Sequence, residues 1–331
     1  MALHRFTFRA MAAENEIQLH AEDAGAAQAA AGQAIAEVAR IEAKYSRYRD
    51  DSVVARINAN AGREPVAIDA ETAGLLDFAD ACHRQSGGAF DPTSGVLRRA
   101  WRFDVPRVPD AQALAPLLAL IDWRCVERDA GHIRLPRSGM ELDFGGFGKE
   151  YAVDRAAAVL HQAGIASACV NLAGDLAILG AQPDGSSWRV GIRHPRGDGL
   201  IASLPVASGG LATSGDYERF IEIDGVRHCH VLDPRTGSSV RGFRSVTVHA
   251  TSCLVAGSAA TIAMLEGARD GLEWLRSLGL AHFCVLEDGA VVDGFGIMSK
   301  CSTTPIPSPA AIQPYGPPSS RSSAGRKKAS S

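Results

Sequence analysis

The stretch from Glu141 to Arg155, ELDFGGFGKEYAVDR, constrains the fold more than any other, because an acidic extended segment runs through three glycines straight into a helical pattern. Gly145, Gly146 and Gly148 let the backbone come close to a neighbour or ligand that any Cβ would hold off. From Tyr151 onward YAVDRAAAVLHQAG carries good helix formers, with Val153, Ala156, Val159 and Leu160 on one face and Gly164 closing the helix. Unpaired N–H groups at such a helix start, with Lys149 beside them, suit a phosphate; the same residues also serve as a plain tight connection. Two look-alikes fail. Asp143-Phe144-Gly145 spells a kinase motif with no H-R-D loop before it, and Gly145 to Lys149 lacks the G-x-x-x-x-G-K-[ST] spacing, Glu150 standing where a hydroxyl is needed.

Composition narrows the partners. With 46% hydrophobic and 21% charged residues among 331, the chain can bury one large core or two modest ones. A formal net charge of −3 supplies no overall basic field for nucleic acid or an anionic membrane, so a small molecule or a protein is the expected partner. Seven cysteines with no C-x-x-C pair argue against a disulfide framework or a zinc site. The N-terminus lacks a basic segment followed by an apolar run, and no stretch is long enough to span a bilayer; the expected compartment is the cytoplasm.

Taken in order, Phe6 to His20 alternates as a strand pair interrupted near Glu14 and Asn15, and Ala24 to Ala43 reads as an Ala-rich helix burying Ala31, Ile35, Val38 and Ile41. Tyr45, Tyr48 and Arg49 either line a ligand or cap the core. Ser52 is placed to N-cap VVARINANAG, and Ile68 to Gln85 reads as a helix starting near Asp69. SGGAFDPTSGVLRRAWRF is an irregular loop in which Phe90 and Trp101 are core candidates and Asp91 either an Asx-turn or a binding carboxylate. Ala111 to Leu120 reads as a helix, with IDWRCVERD and HIRLP as strands. Beyond the central helix, SACVNLAGDLAILG is a buried strand broken at Ala173-Gly174-Asp175, and Thr213 to Asp216 reads as a polar turn. Asp224-Gly225 is a hairpin signal. RHCHVLDPRTGSSV reads as a strand with His228 and His230 on one face, ending in the turn Asp233 to Gly237. TSCLVAGSAATIAMLEG is a helix of small residues with Thr261 in its first or second turn, and AHFCVLEDGAVVDGFG is a final hairpin. From Ser302 the Pro/Ser-rich segment has no means of forming a core, giving an expected module of residues 1–298 and a tail of 302–331.

YSRYRDDS, GGAFDPTSG, LDFGGFGKEYAVD, VNLAGD, and TSGDY followed by HVLDPRTG and SVTVHA occur together in one order, and as a set they resemble the FAD:protein FMN transferase family, the ApbE-like flavin transferases. The resemblance covers about Met11 to Gly296. It implies an α+β fold of T-fold-like mixed sheets packed with helices around a central flavin cleft. It also implies Mg²⁺-assisted transfer of the FMN moiety of FAD to a Thr or Ser hydroxyl of an acceptor flavoprotein, with release of AMP. Carried over by motif, Met11, Tyr48, Ala89, Phe90, Asp91, Asp143, Lys149 and Leu232 contact the flavin nucleotide. Gly146 offers its carbonyl to Mg²⁺, Thr261 its hydroxyl, and His230 is the candidate proton acceptor.

One departure stands out. Family members usually carry, four residues ahead of the helix threonine, an Asp that ligates the metal, and this chain has Gly257 there. Losing that carboxylate is expected to weaken the site, with Asp216 or Asp233 as replacements by motif, and Gly257→Asp is expected to restore it at little cost to the fold. Ala173 also replaces the usual first glycine of an N-x-G-G-D turn. The alternative of another class is therefore a non-catalytic FAD-binding module. An FAD-using oxidoreductase of Rossmann type is disfavoured, because Phe6 to His20 contains no glycine.

Overall fold

The computed structural model describes residues 1–296. Strands β1 (Ala2–Ala10) and β2 (Ala13–Ala21) are followed by α1 (Ala24–Tyr45), α2 (Val53–Ala59), β3 (Val66–Ala67), α3 (Ala70–Gln85) and α4 (Ala111–Leu118). After the short strands β4 (Glu127–Arg128) and β5 (His132–Arg134) come α5 (Gly148–Gln162), β6 (Ala168–Leu172), β7 (Asp175–Leu179), β8 (Trp188–Arg193) and β9 (Leu200–Val206). The chain continues through β10 (Gly209–Gly215), β11 (Phe220–Ile223), β12 (Val226–Cys229), β13 (Phe243–Ala250), α6 (Cys253–Ser277), β14 (Ala281–Leu286) and β15 (Val291–Asp293). The expected tail from Ser302 lies outside the described residues.

Eight strands form one sheet in the order β1-β2-β6-β7-β10-β13-β14-β15, with every pairing antiparallel. Period-two alternation sorts its side chains. Ile17, Leu19, Val170, Ala177, Val246, Val248 and Cys284 point into the main core beneath the helices, whereas Cys169, Leu176, Ile178, Leu211, Phe283 and Val285 face the β8–β9 hairpin. Both faces of the central strands are thus covered, so these strands read as nearly continuous apolar runs. Helices α1, α5 and α6 pack along the first face. The start of α6 lies against β10 so closely that a Cβ on Gly210 would stand 1.9 Å from the Cys253 nitrogen.

Local signals hold at most helix starts. Asp23, Ser52, Asp69 and Asp110 each accept from a backbone N–H of the first turn, as N-caps should. Charged residues then tie three helices together: Arg40 and Lys44 of α1 reach Glu71 of α3, whose carboxylate also accepts from the Tyr151 hydroxyl of α5.

Several expectations need correction. The first hairpin turns at Met11-Ala12, not at Glu14-Asn15, because both residues take positive φ (52° and 61°) and form the primed turn that suits twisted strands. Residues 121–129 are mostly turn, since Trp123 is pinned by its backbone N–H to Asp91 and its indole N–H to Asp80; only Glu127–Arg128 pair as strand. Thr213 to Gly215 is strand rather than turn, paired with Ser245 to Thr247 of β13, and the Thr213 N–H donates to the Asp175 side chain. The central helix begins at Gly148 instead of Tyr151, and β12 ends at Cys229, leaving His230 beyond it. Thr261 lies in the third turn of α6, and α6 breaks at Gly267 (φ 77°), its second half running on to Ser277. The six cysteines described are free, and all but Cys125 are buried.

Candidate active site

The glycine turn before α5 is held from below by aromatic packing. Phe147 is fully buried and contacts the rings of Phe78, Phe90 and Phe144, and Gly146 approaches Phe90 so closely that a Cβ would meet its ring at 3.0 Å. Phe147 occupies the N-cap position without a capping side chain, so the first N–H groups of α5 are not satisfied by one. Asp143 orders the turn: its backbone N–H donates to the Pro92 carbonyl, and its Oδ1 accepts from the Gly145 N–H. Its Oδ2 pairs with Arg47, a residue the sequence reading passed over, and Arg47 donates in turn to the Tyr48 hydroxyl. Tyr48 itself is 75% exposed, an aromatic ring presented to solvent beside this ion pair. Asp91 is used internally. Its Oδ1 accepts from the N–H and hydroxyl of Thr93 and its Oδ2 from the Trp123 N–H, so its role here is to shape the loop that carries Ala89 and Phe90.

The second half of the site is where α5, α6 and the sheet meet. Lys149 Nζ lies 2.7 Å from Asp175 Oδ2 at the start of β7, and Asp175 Oδ1 accepts from the Thr213 N–H of β10. One residue on, the Ser214 hydroxyl is 2.9 Å from that of Thr261. Burial disfavours the charge on Lys149, but the carboxylates of Asp175 and Glu150 outweigh it and raise its pKa, so the ammonium persists. Glu150 is only 8% exposed, and its Oε2 has no hydrogen-bond partner. Desolvation first, then Asp175, pushes its pKa up, while Lys149 opposes the shift. The Glu150 side chain fills the space in front of Gly257, where an added Cβ would stand 2.5 Å from Glu150 Cγ and 2.9 Å from Oε1. The expectation that Gly257→Asp costs the fold little is therefore overturned.

The carboxylates proposed by motif as replacements are committed to other partners. Asp216 is held by both terminal nitrogens of Arg196, and Asp233 caps its own turn and pairs with Arg235. Asp154 accepts from the Cys253 and Leu254 N–H groups at the start of α6. Among the described residues no group of three or more His, Cys, Asp or Glu is arranged to hold a metal.

His230 follows β12 and is anchored by its backbone N–H to the Arg219 carbonyl. Surrounding protein, and then the cations of Arg219, Lys149 and Arg47, lower the imidazole pKa, so the ring is neutral at pH 7. His228 instead lies against Trp101, which donates to the Gly237 carbonyl and fixes the Asp233–Gly237 turn. Leu232 packs against the satellite core of Leu97, Trp101 and Leu114. Met11 sits in the β1–β2 turn, at the same end of the sheet as the Ala173-Gly174 turn, because Asn15 pairs with Leu172; its N–H donates to Glu42. Electrostatic coupling thus places Lys149, Arg47 and His230 in one neighbourhood, Asp143 joins it through Arg47, and Glu150 and Asp175 through Lys149. Arg47, Glu150 and Asp175 lie inside motifs quoted above without a role assigned to them there, and Arg219 lies in none; the meeting of separate elements is what marks them.

An antiparallel sheet backed by helices, with a helix start that no side chain caps, a persistent ammonium and an exposed aromatic around a glycine turn, defines an α+β protein built to handle a phosphate-bearing, ring-containing ligand. The chain belongs to the ApbE family, whose sequence profile matches residues 11–284. It is 34% identical over 280 residues to the FAD:protein FMN transferase of Treponema pallidum, covering 78% of this chain and 77% of that protein. It is 36% identical over 224 residues to a Klebsiella pneumoniae FAD:protein FMN transferase, covering 66% and 69%. The crystal structure of the Thermotoga maritima ApbE protein superposes with a TM-score of 0.80 at 30% identity, over 88% of this chain and 97% of that one. The apo form of Pseudomonas stutzeri flavinyl transferase ApbE also gives 0.80, at 28% identity, over 91% and 98%. No helix among the described residues is long and apolar enough to cross a membrane.

Proposed function

We propose that this chain is an FAD:protein FMN transferase that moves the FMN moiety of FAD onto a Thr or Ser hydroxyl of an acceptor flavoprotein and releases AMP. The observation that supports it most is the pair Asp143 and Lys149 flanking the glycine turn at the start of α5, with His230 near enough to feel the charges of Lys149 and Arg47, within a fold shared over nearly its whole described length with flavinyl transferases.

In this reading the acceptor hydroxyl attacks the phosphorus of the FMN phosphate, the bond from that phosphorus to the bridging oxygen breaks, and AMP departs with the electron pair. Neutral His230 takes the hydroxyl proton, which its lowered pKa leaves it free to do at pH 7. Lys149, on the first turn of α5, faces the diphosphate, where charge builds as the P–O bond lengthens. Asp143, braced by Arg47, holds the turn, and Tyr48 and Phe90 offer ring surface to the flavin nucleotide. Met11, Ala89, Asp91 and Leu232 complete the walls, Asp91 through its loop rather than its carboxylate.

A divalent cation fits the donors present, since a buried carboxylate keeps an unpartnered oxygen beside a helix position lacking a Cβ. The Gly146 carbonyl and the Thr261 hydroxyl would hold Mg²⁺ as hard oxygen ligands, and when bound it would neutralise the diphosphate as the leaving group departs. The alternative of a non-catalytic module rested on the absence of a carboxylate at Gly257; Glu150 brings one to that spot from α5. The test is AMP release from FAD, with covalent flavin on a Thr-containing acceptor peptide, compared for the parent and His230→Gln. FAD binding without either product in the parent across an Mg²⁺ titration would leave the binding module as the correct reading.

A further inference from the structure

Position 257 lies on the face of α6 that also carries Cys253 and Thr261, since residues four apart are neighbours on a helix. The Thr261 hydroxyl meets Ser214 on β10, and Asp175 on β7 accepts from the neighbouring Thr213 N–H, so this face looks onto the end of the sheet where Lys149 is held. A carboxylate grown from position 257 would enter the space between α6 and the start of α5. That space is taken by the side chain of Glu150, which begins on the first turn of α5, four residues after Gly146, and ends with Oε1 2.9 Å from where a Cβ of residue 257 would stand. The carboxylate at this point is therefore one that α5 supplies.

The charge balance of the pocket points to a cation. Lys149 is matched to Asp175 at 2.7 Å, which leaves Glu150 as the uncompensated charge when ionised. A carboxylate more than nine-tenths buried with one oxygen unpartnered is costly, and a buried charge ordinarily has an ion or hydrogen-bond partner. Neighbouring carboxylates are engaged: Asp175 by Lys149, and Asp154 by the N–H groups of Cys253 and Leu254. Mg²⁺ takes one or two carboxylates with other hard oxygens and phosphate; Gly146 lies two residues before α5, and Thr261 lies one helical turn beyond position 257 on α6.

Resting on the transferase reading above, we infer that Glu150 is the carboxylate ligand of the divalent cation in this protein, supplied from α5 in place of one at position 257 on α6.

The test reads metal binding directly. Mn²⁺ is titrated into the full chain with ADP present to supply a diphosphate, and bound ion is measured by loss of the free-ion electron paramagnetic resonance signal. Three variants are compared: Glu150→Gln, the swap Glu150→Gly with Gly257→Asp, and Asp216→Asn as a charge-matched control, each checked for folding by circular dichroism. Glu150→Gln is expected to weaken Mn²⁺ binding by about tenfold or more, the swap to recover affinity to within about threefold of the parent, and the control to bind as the parent does. Parent-like binding by folded Glu150→Gln overturns the inference. So does a loss that the folded swap does not recover, since the two positions would then not address one ion. A parent that binds no Mn²⁺ with ADP present rejects instead the metal-dependent reading on which the inference rests.

Discussion

Replacing Gly257 with Ala isolates packing from ligand chemistry, and its outcome depends on Glu150. In a helix interior Gly→Ala ordinarily stabilises by about 1 kcal/mol, because Ala has less backbone freedom to lose on folding. Here the new methyl would lie 2.5 Å from Glu150 Cγ and 3.0 Å from Cδ, well inside contact distance. The obstacle lies along the length of a buried side chain wedged between two helices, so relief requires moving the carboxylate. Overpacking of this kind costs about 2 kcal/mol, giving a net loss near 1 kcal/mol in the parent. In a Glu150→Ala background the obstacle is gone, and the same substitution should stabilise by about 1 kcal/mol, a coupling of about 2 kcal/mol between the two sites. The assay is urea unfolding of the four proteins of the cycle in EDTA, followed by circular dichroism, with a common slope required for the comparison. A gain of about 1 kcal/mol in both backgrounds, with no coupling, would refute the packing of Glu150 against Gly257.

Phe147→Ala should lose about 3 to 5 kcal/mol of stability, read by thermal unfolding, because a fully buried ring contacting three others leaves a cavity beneath the glycine turn. Lys149→Ala should weaken FAD binding at least tenfold in a fluorescence titration while leaving the unfolding midpoint slightly changed or lower, since Asp175 loses its partner. His230→Gln should bind FAD as the parent does and lose transfer; in the parent, because the imidazole pKa lies below 6.5, the rate should hold from pH 8 to 7 and fall only as the pH drops below that value. Glu71, held down to about 2 first by Arg40 and then by Lys44 and Tyr151, stabilises the fold fully above its unfolded value of 4.5, and that contribution is lost as the pH falls toward 2. Acid unfolding of Glu71→Gln should accordingly show a shallower pH dependence across that window, with the α1–α3–α5 contact weakened at neutral pH by roughly 2 kcal/mol after allowance for solvent.

Much of the architecture was legible along the chain because its causes are local. The caps at Ser52 and Asp69, the Asp224-Gly225 hairpin, the Ala-rich α1 and the break at Ala173-Gly174 each follow from side-chain spacing or from backbone freedom within a few residues. The ordered run of motifs likewise carries the resemblance to the ApbE family by itself, and the family profile matches residues 11–284. Boundaries failed where distant contacts overrode local preference: Trp123 is held in a turn by Asp91 and Asp80, and Thr213 to Gly215 is drawn into strand by its partners on β13. The candidate site divides in the same way. Asp143, Lys149 and the glycine turn announce themselves, because a run of glycines into a helix has few physical uses. Arg47 reaches Asp143 across 96 residues, and Glu150 fills the space at Gly257 from another helix, so neither leaves a local trace. A sequence shows that position 257 lacks a side chain; only packing decides what occupies the space, because dense interiors leave few voids and the nearest long side chain fills them.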